Sequence, residues 1–187
     1  AIHRSLLAGV PRQFGWWDRE NKADSYQAGI WVQKAYVGNE RLPVDYQMWL
    51  EQWHAGFTNK DPKDMEVYAN SIEKSDTKSR YILFDVGVAF TILEKYDKSV
   101  NMFEKAALVS SEWGDPWKYR DYYAFFADAC HKAGEPDKEA RVLKTGLKLF
   151  PDDIKLIWRQ ARLALSDGTS NRAKEIIDEY ENLCKRY

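Results

Sequence analysis

The residues of this 187-residue chain with potential for chemistry are three histidines, two cysteines, some neighbouring carboxylates and one glycine inside an apolar run. His3, His54 and His131 stand apart, with no second ligand at metal-binding spacing. Cys130 adjoins His131, but neighbouring residues of a helix point ~100° apart and cannot act as nucleophile and base. Cys130 and Cys184 are too few and too distant for a disulfide framework or a zinc site, and read as small buried hydrophobes. Asp152-Asp153 and Asp178-Glu179 read as helix caps and solvated faces. Gly87 lies in YILFDVGVAFTIL, which fits either a buried strand opening a phosphate-binding turn or a buried helix. No second glycine and no Lys-Ser/Thr pair follows it, so the phosphate loop is excluded. No catalytic residue, metal site or cofactor is expected, and the chain reads as non-enzymatic.

Composition bounds the remaining functions. Hydrophobic residues make up 44% and charged residues 30%, as in folded domains. A net charge of -1, with no basic arm, gives no support to nucleic-acid or anionic-membrane binding. No run approaches the ~20 apolar residues of a membrane span. The chain starts at Ala1 without Met, so a removed leader stays open: the cytoplasm is weakly favoured, a secreted or periplasmic location not excluded. The aromatic share, 14%, supplies either core or anchors for partner chains.

Helices must position whatever surface the chain uses. Turn signals at Gly38 to Pro43, Thr58 to Pro62, Gly114-Asp115-Pro116, Gly134 to Pro136, Pro151 to Asp153 and Asp167 to Thr169 separate segments of helical length. Ile176, Ile177, Tyr180, Leu183 and Cys184 form one apolar stripe at three- and four-residue steps; Ala140, Leu143 and Leu147 form another. No alternating run bounded by hairpin turns occurs. The pattern predicts an all-α chain with its helices in pairs.

The pairs repeat. Gly134 recurs as Gly168, Ala127 as Ala161 and Cys130 as Ala164, each 34 residues on. Leu83, Gly87 and Phe90 match Tyr123, Ala127 and Cys130 at a step of 40, because SSEWGDPWKY makes a longer junction. The sequence thereby resembles the tetratricopeptide repeat family, whose 34-residue helix–turn–helix unit has small residues at positions eight and twenty. Large residues stand at four, seven, eleven and twenty-four, with glycine at fifteen. Arg80 to Ser111 supplies Leu83, Val86, Gly87, Phe90, Tyr96, Ser99, Phe103 and Ala106. Arg120 to Asp153 fits except at position twenty, where Glu139 stands with Ala140 next, suggesting a one-residue shift in the turn. Ile154 to Tyr187 fits except for Gln160 and Tyr180.

The expected organisation is therefore an N-terminal extension or cap over 1–23, N-terminal helices with a degenerate repeat over 24–79, and three repeats, 80–119, 120–153 and 154–187. The resemblance implies a right-handed superhelix of antiparallel helix pairs whose first helices line a concave groove for a segment of another protein. On the family's groove positions stand Tyr81, Phe84, Asp85, Val88 and Thr91; Asp121, Ala124, Asp128 and His131; and Lys155, Trp158, Arg159, Arg162 and Leu165. This implies an aromatic wall, an acidic middle and a basic C-terminal end, with Arg159 and Arg162 open to a partner's carboxylate or lying on a solvated face. Phe84 and Val88 replace the Lys and Asn of the family's chaperone-binding members, which disfavours that role. The leading reading is a non-catalytic protein-interaction scaffold whose partner is a peptide or protein. The alternatives are a structural or homo-oligomerisation module and a regulatory domain of a larger protein.

Overall fold

Of the eight α-helices among the described residues, four have a predicted turn at both ends, whereas the breaks at 75–79 and 93–95 have no predicted turn. The computed structural model describes residues 30, 32–58, 62–112 and 116–185. The proposed cap over 1–23, with His3, lies outside the described residues, as does the side chain of Cys184. A helical stretch at 32–36 and a 3-10 turn, Asn39–Arg41, precede the helices α1 (Val44–Thr58) and α2 (Pro62–Lys74). Then follow α3 (Arg80–Ile92), α4 (Tyr96–Glu112), α5 (Arg120–Ala133), α6 (Pro136–Leu149), α7 (Ile154–Ser166) and α8 (Ser170–Cys184). No strand occurs among the described residues, and no helix there is long and apolar enough to cross a membrane.

The chain divides into two compact units, 1–78 and 79–187. In the first, α1 packs on α2. Trp49, Trp53 and Met65 are buried there with Leu50, Ala69 and Ile72. Counting a degenerate unit from Tyr46, Trp53 and Met65 occupy positions eight and twenty, where a regular repeat has small residues. Asp45 ties the end of the unit back, accepting a hydrogen bond from the Thr77 hydroxyl at 2.8 Å.

In the second unit the pairs are α3–α4, α5–α6 and α7–α8, and each pair's second helix meets the next pair's first, α4 on α5 and α6 on α7. The first helices also touch in sequence, α3 with α5 and α5 with α7. Close approach within the first pair rests on Gly87, where a Cβ would lie 2.8 Å from the Phe103 ring. The Gly87 carbonyl accepts the Ser99 hydroxyl at 2.7 Å and the Thr91 hydroxyl at 3.1 Å, so the small residues at eight and twenty are joined directly.

All three first helices end in the same way. The amides of Lys95, Glu135 and Thr169 bond the carbonyls of Phe90, Cys130 and Ala164 at 2.8–2.9 Å, closing a six-residue cap. The residue at position fifteen must then take a left-handed backbone. Gly134 (φ 72°) and Gly168 (φ 73°) do so freely; in the first unit Glu94 is held at φ 57°. Glu94 is exposed and its side chain is not needed for the cap. Glu94→Gly should therefore raise stability by about 0.5–1 kcal/mol, and Gly134→Ala should lower it by about 1 kcal/mol. Urea unfolding of the two variants, read against the parent, tests both signs.

Candidate partner-binding surface

The groove positions fall on α3, α5 and α7, and the structure separates them into a covered aromatic part and an ionic part. On α3, Tyr81 is 48% exposed, but Phe84 is 1% exposed, and Asp85 and Val88 are buried too. Phe84 is enclosed by edge-on contacts with Trp117, Tyr119 and Phe125 at 5.2–5.9 Å between ring centres. Trp117 and Tyr119 come from the long junction before α5, so residues outside the repeat cover the position that the repeat pattern assigns to the groove. Tyr81 borders this cluster, edge-on to Trp117 at 4.9 Å, and Arg80 lies 5.1 Å over the same indole. Thr91 is half-buried and hydrogen-bonded to Ser99. Of the proposed α3 wall, Tyr81 is the side chain left open.

The acidic middle and the basic end face each other. Lys155 Nζ is 3.5 Å from Asp121 Oδ1, and Arg162 Nη1 is 2.9 Å from Asp128 Oδ1, each pair 34 residues apart. Identical repeat positions in consecutive units thus carry opposite charges and meet across the α5–α7 contact. Arg159 adds a second hydrogen bond to Asp128 and one to its own Lys155 carbonyl at 2.8 Å. Arg159 and Arg162 are therefore engaged inside the protein, and the two patches neutralise each other.

The centre of this network is a residue that the repeat pattern misplaced. Glu139 is fully buried and Ala140 is exposed, and α6 starts at Pro136, position seventeen, in register with α4 and α8. There is no one-residue shift. A carboxylate occupies the small-residue position, where Arg162 Nη2 donates to one oxygen at 3.0 Å and His131 Nδ1 lies 2.9 Å from the other. His131, Glu139, Arg162, Asp128 and Arg159 form a continuous chain from α6 through α5 to α7. The visible signal was an acidic residue at a site whose neighbours in other units are Ser99 and Ala173.

Above the network, Trp158 is 55% exposed with the Arg162 guanidinium 5.4 Å from its ring. Ile154 and Leu165 are also exposed on α7. The guanidinium is thus held on one side by two carboxylates and offers its face to the indole. Tyr81 and Trp158 are the exposed aromatics of the proposed surface.

Neither neighbour of the Cys130-His131 step offers nucleophilic chemistry. Cys130 is buried, and burial pushes its thiol from 9.0 up to about 12, while His131 turns to Glu139. Among the described residues no group of three or more His, Cys, Asp or Glu is placed to hold a metal ion.

Removing the Glu139 carboxylate leaves Arg162 half paired in a buried setting, so Glu139→Ala should cost about 3 kcal/mol. Glu139→Ala combined with Arg162→Met should regain most of this loss, since an apolar contact replaces the ion pair. A double-mutant cycle by chemical denaturation measures the coupling. Because the folded thiol of Cys130 titrates above its unfolded value, its contribution to stability holds below 9.0 and is lost as pH rises towards 12. Native protein at mildly alkaline pH should accordingly resist alkylation at Cys130, and unfolded protein should react.

No protein-family model matches the chain, and no curated protein sequence matches it. Solved structures match it in fold. The structure titled MamA MSR-1 C2 superposes with a TM-score of 0.68 at 14% identity, covering 98% of each chain. MamA from Desulfovibrio magneticus RS-1, residues 41 to the end, gives 0.67 at 10% identity over 96% of each. A Podosopora anserina putative kinesin light chain with nearly identical TPR-like repeats gives 0.69 at 10% identity, over 99% of this chain and 95% of that one. At these identities the likeness establishes architecture, and the chain has the tetratricopeptide-like fold of stacked antiparallel helix pairs.

Proposed function

We propose that this chain is a non-catalytic scaffold that holds a peptide or protein segment against the first helices of its repeats. The observation that carries this reading is Trp158. It is a large indole, more than half exposed, fixed from below by Arg162 and flanked by exposed Ile154 and Leu165. A rigid aromatic beside aliphatic side chains, with its supporting charges already satisfied, is the composition of a protein-interaction hot spot. The neutralised ionic ladder favours an apolar or aromatic anchor on the partner over an acidic one. Of the remaining groove-position residues, Tyr81 and Lys155 are placed to touch the partner. Asp121, Asp128, His131, Arg159 and Arg162 shape the surface from beneath.

A second reading, self-association, is favoured by Ile177. Its counterparts at repeat position twenty-four, Phe103 and Leu143, are buried, whereas Ile177 is 41% exposed. An exposed aliphatic at the position that the two preceding units bury suits contact with a second copy.

Trp158→Ala should leave the circular dichroism spectrum unchanged and weaken capture of a retained partner by about tenfold or more. Reversing Arg159 or Arg162 to Glu should instead lower stability, because both hold the fold together. Partners retained equally by the parent chain and by Trp158→Ala would remove α7 from the site. Sedimentation velocity separates the readings: a dimer dispersed by Ile177→Glu supports self-association.

A further inference from the structure

On the second unit, α4, α5 and α6 line an open recess of about 580 Å³. This lies within the ~300–1,000 Å³ typical of small-molecule sites. Aromatic rings floor it: Trp117, Tyr122, Tyr123 and Phe126, with Val142 at one side. Trp117 and Tyr122 are 5.2 Å apart and Tyr122 and Phe126 5.7 Å, so the rings brace one another.

Several polar atoms around these rings are already used. The Tyr122 hydroxyl donates to the Phe103 carbonyl at 3.0 Å. The hydroxyls of Ser110, Ser111 and Thr145 turn back onto the helical carbonyls of Ala106, Leu108 and Arg141. Most of what remains to meet a ligand is carbon. At the mouth, Lys138 bridges Glu104 at 2.8 Å and Glu135 at 2.6 Å, so its charge is balanced. Arg141 is exposed and, among the described residues, has no carboxylate within ion-pair reach.

We propose that this cavity binds a small amphipathic carboxylate, its aryl or acyl body against the aromatic floor and its carboxylate on Arg141. The placement of apolar surface favours a small molecule over a docking protein, because the carbon lies within the recess while the rim is charged. The recess shares no lining residue with the Trp158 surface, and meets the other proposed contact, Tyr81, through the junction aromatic Trp117.

The probe is pyrenebutyrate, titrated into the full chain and followed by energy transfer from tryptophan and by calorimetry, with neutral pyrenebutyramide alongside. Saturable one-site binding and a raised melting temperature are expected. Ala107 and Thr145 are exposed wall positions, so Ala107→Trp and Thr145→Trp fill the cavity without disturbing the core and should weaken binding at least tenfold. Arg141→Gln should weaken the acid about fivefold and leave the amide unchanged. Non-saturable uptake, or equal binding by the parent and both tryptophan variants, overturns the site. Equal affinity for acid and amide overturns the carboxylate. If the tryptophan variants lose a protein partner while pyrenebutyrate never saturates, the cavity is a socket for a partner's side chain and the proposal fails.

Discussion

The second unit depends on how closely two helices of a pair can approach where repeat position eight faces position twenty. In the first pair Gly87 and Ser99 meet there, and the glycine carbonyl takes the serine hydroxyl. In the third, Ala161 and Ala173 are both buried in one small cluster. The second pair places Ala127 opposite the carboxylate of Glu139, which cannot be buried without compensation. Compensation comes from His131 of the same pair and Arg162 of the next. The departure from the small-residue rule therefore joins the second pair to the third by a buried ionic network, where the first is joined to the second by aromatic packing beside the Lys138–Glu104 ion pair.

These two junctions differ in physical kind, and the difference follows from their length. The longer connection before α5 delivers Trp117 and Tyr119 onto Phe84 and Tyr81, and the Tyr122 hydroxyl bonds the Phe103 carbonyl. The short connection before α7 carries a single ring, Phe150, which packs 6.2 Å from Tyr123 within the second pair. There Asp153 caps α7 by accepting the Leu156 amide at 3.0 Å, and also lies 3.3 Å from Arg120. At this second junction Asp121–Lys155 and Asp128–Arg162 align in a ladder. Aromatic packing is insensitive to salt, whereas the partly exposed ion pairs are screened.

Much of the fold was legible because two periods act together. The 3.6-residue apolar period fixed helices, and the 34-residue period fixed where Gly134 and Gly168 had to turn. Less of the surface was legible. Repeat positions name the face a side chain takes in a regular array, and they assigned Phe84 and Val88 to the groove. A junction outside the repeat then covered Phe84, which no position-by-position reading registers. Glu139 was read as a slip of register for the same reason: the pattern admits a small residue or an error, but not a buried carboxylate with its own partners. Asp121 and Lys155, and Asp128 and Arg162, stand at equal positions of consecutive repeats with opposite charge, and in a stack such residues are neighbours.

That alignment also explains why the exposed surface ends in an aromatic. Arg162 gives its two terminal nitrogens to Asp128 and Glu139, its buried Nε has no hydrogen-bond partner among the described residues, and Trp158 one turn earlier lies against its planar face. A lysine could satisfy one carboxylate as a point charge but has no plane to offer the indole. The buried glutamate, placed against the rule for its position, thus determines both how the third pair docks and how the exposed indole is held. The surface proposed for a partner is a consequence of the ionic core beneath it.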